Sequence, residues 1–146
     1  MGAVKEAIAV WKHEGLAFDA ITSTGATLEM SNQGASLRPA ELLMVGLAGC
    51  SAMDVIDILR KKRQDVTDFQ VQARGEQAEE HPHRYVKIDV KYIITGREID
   101  PEAVRRAIEL SETKYCSVAA SLRPGAPITT SFEIREAVPA AEPAAA

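Results

Sequence analysis

The chain opens on short apolar segments separated by turn residues. Ala7, Ala9 and Trp11 alternate with Ile8, Val10 and Lys12, and Leu16, Phe18 and Ala20 follow a turn at His13–Gly15. A second turn at Thr24-Gly25 leads to Thr27-Leu28-Glu29-Met30. Strands joined by such turns predict an N-terminal β-meander. The stretch from Ser31 to Ser36 is polar, contains Gly34 and reads as a loop. From Pro39 to about Lys62 the period changes: Leu42, Val45, Gly49, Met53, Ile56 and Leu59 recur at helical spacing. Pro39 and Glu41 suit the start of a helix, and the basic run Arg60 to Arg63 suits its end. Nearly every face between 42 and 53 is apolar or tiny, which predicts a long buried central helix. Gly46, Ala48 and Gly49 would admit another backbone closely, either a sheet or a second copy of the same helix.

Period-two alternation then returns. Phe69, Val71 and Ala73 mark one strand, and residues 75–83 read as a polar loop. Val86, Ile88, Val90, Tyr92 and Ile94 mark another strand, ended by Gly96. Asp100-Pro101 supplies an N-cap followed by proline at the first helical position. Val104, Ala107, Ile108 and Ser111 give this second helix one packed face as far as about Lys114. A short turn of helix is predicted around Val118–Ala120, and Ile128, Thr130, Phe132 and Ile134 form a final strand. The order predicts an α+β fold: one domain over 1–136, then a low-complexity Ala/Pro tail over 137–146 expected to be disordered.

Composition narrows the function. With 146 residues, 46% hydrophobic and 26% charged, the chain is an ordinary globular domain that can bury a core without a metal or disulfide staple. Seventeen Lys plus Arg against 21 Asp plus Glu leave a net charge of −4, which argues against a nucleic-acid partner. The N-terminal MGAVKEAIAVWKHEG lacks the apolar core of a secretory signal, and the uncharged run Leu42–Met53 is short for a bilayer. No membrane partner is expected, and the chain reads as a cytoplasmic protein whose thiols stay reduced.

The two cysteines, Cys50 and Cys116, are the candidate chemistry. Free cysteines are often no more than small buried hydrophobes. The alternative is a reactive thiol with a resolving partner: a thiolate attacks a peroxide, and the second thiol converts the sulfenic acid to a disulfide.

The sequences flanking them weigh toward chemistry. The block from Arg38-Pro39-Ala40-Glu41-Leu42-Leu43 through Gly49-Cys50-Ser51-Ala52-Met53-Asp54, and the motif Thr113-Lys114-Tyr115-Cys116-Ser117-Val118, resemble the OsmC/Ohr superfamily of osmotically inducible and organic-hydroperoxide-resistance proteins. The resemblance covers roughly residues 4–135. It implies an intertwined homodimer with two antiparallel helices inside and sheets outside. Cys50 would be peroxidatic toward small apolar hydroperoxides and Cys116 resolving. A dithiol or a lipoylated protein would be the reductant, with no cofactor.

In the well-studied reductases of that superfamily, an arginine from the N-terminal strands steadies the thiolate. A glutamate directly after the helix-start proline holds that arginine. Here Ala40 follows Pro39, Glu41 comes one place later, and no arginine precedes Arg38. On a straight helix the step from Glu41 to Cys50 turns through about 900°, to the opposite face, so Glu41 reads first as a helix-dipole partner. Arg38, Arg123 and Glu41 remain the candidates for stabilising the thiolate. Asp54 shares a helix face with Cys50 and is expected to accept hydrogen bonds. His81 and His83 sit in a polar loop that reads as solvated, and no metal site is expected in the chain. The rival reading is a redox-silent protein of the same fold that binds a small hydrophobic ligand.

Overall fold

The computed structural model describes residues 2–138, so from 139 onward the expected tail lies outside the described residues. The chain divides into two compact units, one ending at Leu43 and the other beginning at Met44.

The first unit is the predicted meander. Strands β1 (Ala7–Trp11), β2 (Phe18–Thr22) and β3 (Thr27–Met30) pair antiparallel in sequence order. The first turn contains His13 and Gly15 at positive φ, and the second contains Gly25 at φ 86°. Trp11 Nε1 donates to the Gly15 carbonyl at 3.0 Å, and the Lys12 and Ala17 amides close the first turn. The strands form as expected, yet β1 is exposed along its whole length and β2 is at most half-buried. Ile8 is 64% exposed and Trp11 48%, and Ala17 is the one buried residue among those described in this unit. Trp11 is therefore not a core residue of the single chain.

Helix α1 (Pro39–Lys61) begins as the sequence predicts, and its residues from Met44 onward belong to the second unit. The Glu41 carboxylate accepts a hydrogen bond from the Arg38 amide at 3.2 Å, the N3-to-N-cap half of a capping box. By length and composition α1 is the one helix among the described residues that could cross a membrane. It behaves instead as a core helix, with Leu47, Ser51, Val55 and Leu59, one every four residues, buried. The rest of its apolar surface is not enclosed: Val45 is 54% exposed and Met53 74%. A Cβ built on Gly49 would meet nothing within 4 Å. The expectation of burial on all sides thus fails within one chain, because sheet and helices pack on one stripe of α1.

The second sheet has the order β4 (Asp65–Gln77), β5 (Tyr85–Arg97), β6 (Ile128–Glu136). β4 and β5 run antiparallel, with Phe69 opposite Ile94, and β5 and β6 run parallel, with Tyr92 opposite Phe132. A parallel partner requires a crossover, here made by α2 (Pro101–Leu110), a π-helical turn (Ser111–Tyr115) and α3 (Ser117–Leu122). Asp100 caps α2 by accepting from the Glu102 amide at 3.0 Å. β5 is central, so Ile88, Val90, Tyr92, Ile93 and Ile94 are all buried. They join Leu47, Val55 and Leu59 of α1 and Val104, Ala107 and Ile108 of α2 in one core cluster.

Candidate active site

Cys50 lies on α1 beside the buried stripe, and Asp54 lies one turn further along the same face. Cys116 lies at the junction of the π-helical turn and α3. The turn has a local cause: the Cys116 amide reaches back five residues to the Ser111 carbonyl at 2.8 Å, where an α-helix would reach four. The extra residue leaves both Ser111 and Cys116 in contact with α1. Ser111 Oγ donates to Asp54 Oδ2 at 3.0 Å, and Ser51 Oγ lies 3.6 Å from Cys116 Sγ. The Ala119 amide donates to the same sulfur at 3.4 Å.

The two sulfurs and a carboxylate oxygen of Asp54 all lie within 4.8 Å of one another. Both cysteines are free thiols, Cys50 half-buried and Cys116 buried. A disulfide needs about 2.05 Å between sulfurs, so a modest side-chain rotation would be required. Burial pushes the Cys116 thiol up, and the neighbouring Cys50 adds to this. The Ala119 amide and the Ser51 hydroxyl oppose the rise by hydrogen-bonding the sulfur. Beneath them Tyr92, buried on β5, is pushed up to about 12, chiefly by burial. A hydrogen bond with Ser51 lowers it, while Glu112, Cys116 and Asp54 raise it further.

The candidate cations are engaged elsewhere. Arg38 Nη1 donates to the carbonyls of Ser31, Gly34 and Ser36 at 3.3, 3.3 and 2.9 Å, within its own loop. Glu41 caps the α1 terminus. Arg123 Nη1 donates to the Glu112 carbonyl at 3.1 Å, and its Nη2 lies 4.0 Å from the Glu112 carboxylate. His83 Nδ1 pairs with the Ala78 carbonyl at 2.9 Å, and its ring packs 4.2 Å from that of His81. An open cleft of about 680 Å³ at the Asp65/Arg97 end of the second sheet is lined by Arg63, Asp65, Arg97 and Glu136 and offers no nucleophile. Sequence reasoning missed Ser51, Ser111 and Tyr92 as members of the thiol site. Two of them carried a readable signal: Ser51 is a hydroxyl on an otherwise apolar stripe, and Ser111 ends the packed face of α2.

The family model of the OsmC-like protein matches residues 32–131, a span that includes both cysteines. The chain belongs to the OsmC-like family. Protein YhfA of Escherichia coli strain K12 is 40% identical over 123 residues, 83% of this chain and 92% of that protein. A hypothetical protein of Aquifex aeolicus VF5 has a solved structure that superposes with a TM-score of 0.83 at 34% identity, covering 94% of this chain and 100% of that one. The organic hydroperoxide resistance protein OhrB of Bacillus subtilis superposes with a TM-score of 0.61 at 12% identity, covering 90% and 98%, which establishes a common fold. The α+β architecture expected from the sequence is thus that of the OsmC-like family.

Proposed function

We propose that this OsmC-like protein is a thiol-dependent peroxidase that reduces organic, lipid-like hydroperoxides through a Cys50/Cys116 disulfide cycle, in cytoplasmic defence against oxidative stress. The observation that carries the reading is the approach of two thiols from distant parts of the chain to within 4.8 Å. Cys50, the more accessible sulfur, attacks the terminal peroxide oxygen. The O–O bond breaks, the alcohol leaves and a sulfenic acid remains. Cys116 then attacks that sulfur, water leaves, and the disulfide forms. A dithiol or a lipoylated protein returns both sulfurs to thiols by exchange. The burial that pushes the Cys116 thiol up suits a resolving role over an attacking one. Arg38, Arg123 and Glu41, the candidates for steadying the thiolate, each hold another partner in the single chain. A homodimer is part of the same reading, supported by the exposed apolar side chains of α1 and β1.

The intact mass of reduced protein, taken before and after one equivalent of cumene hydroperoxide, tests this. The mass should fall by two hydrogens within seconds. Cys50→Ser should abolish turnover with a dithiol, and Cys116→Ser should allow one turnover and then over-oxidise. Full turnover in Cys50→Ser would overturn the reading. The rival, a redox-silent protein of this fold holding a hydrophobic ligand, is favoured by the lack of an arginine before Arg38 and by Ala40 directly after Pro39. It predicts an unchanged mass and a co-purified ligand in native mass spectrometry.

A further inference from the structure

We propose that the reduced protein binds a soft divalent cation, zinc or its analogues, through Cys50 Sγ, Cys116 Sγ and the Asp54 carboxylate. Three ligating atoms from two separate elements converge within 4.8 Å, in a half-buried to buried setting. Tetrahedral zinc holds thiolates at about 2.3 Å and carboxylate oxygens at about 2.0–2.2 Å, so its ligand atoms lie a little under 4 Å apart. The present separation, within 4.8 Å, is close to that spacing.

The surroundings fit a cation. The groups acting electrostatically on Cys116 and Tyr92 are Cys50, Asp54, Glu112 and Cys116 itself, all of which carry negative charge when ionised. Of these, Glu112 shares its charge with Arg123 at 4.0 Å. The outer contacts are also those of a metal site. Ser111 orients Asp54 at 3.0 Å, and Ser51 and the Ala119 amide contact the Cys116 sulfur. Three protein ligands leave a fourth position for water, the open arrangement of zinc sites that exchange ligands.

Metal binding itself rests on this geometry alone. Its coupling to oxidation rests on the peroxidase reading, because the same sulfurs serve both. The zinc dithiolate, one hydroperoxide and two protons give the disulfide, free zinc, one alcohol and one water. The metal is released without changing its oxidation state, and the two electrons come from the sulfurs. Bound zinc would therefore hold the thiols in reserve, and oxidation would release it.

The test uses the full-length protein, reduced and anaerobic, titrated with cobalt(II). The expected result is one equivalent per chain, with a sulfur-to-cobalt charge-transfer band and intense tetrahedral ligand-field absorption. Cys50→Ser and Cys116→Ser should each remove about half of the charge-transfer intensity. Asp54→Asn, which preserves shape, should weaken binding by at least about tenfold, and Ser111→Ala by about 10–100-fold through misorientation of Asp54. Alkylating both thiols of the folded wild type should abolish the band, a control that needs no variant. No charge-transfer band, a band unchanged in the cysteine variants, or wild-type affinity in folded Asp54→Asn would each overturn the proposal. None of these outcomes bears on the disulfide mass experiment, so the two readings fail separately.

Discussion

The two three-stranded sheets are made of similar material and end in opposite states. β1 carries Ile8, Val10 and Trp11, which are 64%, 47% and 48% exposed. β5 carries Ile88, Val90 and Tyr92, which are 0%, 2% and 1% exposed. Apolar residues specify an extended strand in both places, but burial depends on what packs against it. β5 lies between β4 and β6 in its sheet and shares one cluster with side chains of α1 and α2. Burying a side chain of this size is worth about 1.5–3 kcal/mol. The second unit gains that many times over. In the single chain the meander gains almost none of it.

The contrast can be broken most sharply inside the second unit. Leu59, 0% exposed and in the main cluster, should cost about 2–5 kcal/mol when cut to alanine, read from the urea midpoint. A cost under 1 kcal/mol would mean that this unit does not carry the stability. A smaller effect should appear at alkaline pH. The folded pKa of Tyr92, about 12, lies above the ordinary value of 10, so folding favours its protonated form. That contribution is fully present below pH 10 and lost as pH rises toward 12. It amounts to about 2–3 kcal/mol at most, and Tyr92→Phe should remove this part of the alkaline decline. An identical decline in the variant would place the titration elsewhere. The smallest change in unfolding belongs to the meander. Ile8→Ser should leave the unfolding free energy of the dilute chain within about 0.5 kcal/mol. In sedimentation equilibrium the same variant should weaken self-association, since the proposed homodimer would cover this sheet. A large loss of stability at every concentration would show that the meander has a core of its own.

Much of this was legible in the chain. The period-two run from Val86 to Ile94, the helical run after Pro39 and the Asp100-Pro101 start of α2 all specify their elements locally. β4 extends beyond the expected strand at both ends, because Asp65, Thr67, Glu76 and Gln77 lack apolar pattern. There the pairing with β5 holds the strand, interrupted by an irregularity between Val66 and Asp68. The burial of α1 was over-read, since periodicity does not reveal whether a second wall comes from the same chain. At the site, both cysteines were visible and so was the hydrogen-bond acceptor role of Asp54. The engagement of Arg38 with three carbonyls was not, because it depends on the path of the 31–36 loop. Nor was the π-helical turn, since Ser111-Glu112-Thr113-Lys114-Tyr115 reads as ordinary helix.

That turn makes the thiol pair unusually sensitive to chain length. Deleting one codon between 112 and 115 would let the segment close as a regular α-helix. Cys116 would then swing by about 100° relative to Ser111. Both sulfurs would still react with a thiol reagent, yet they would no longer meet across Ser51. In a lineage of such chains, the proposed thiol chemistry would be silenced or restored by an insertion or deletion while both cysteines stay in place.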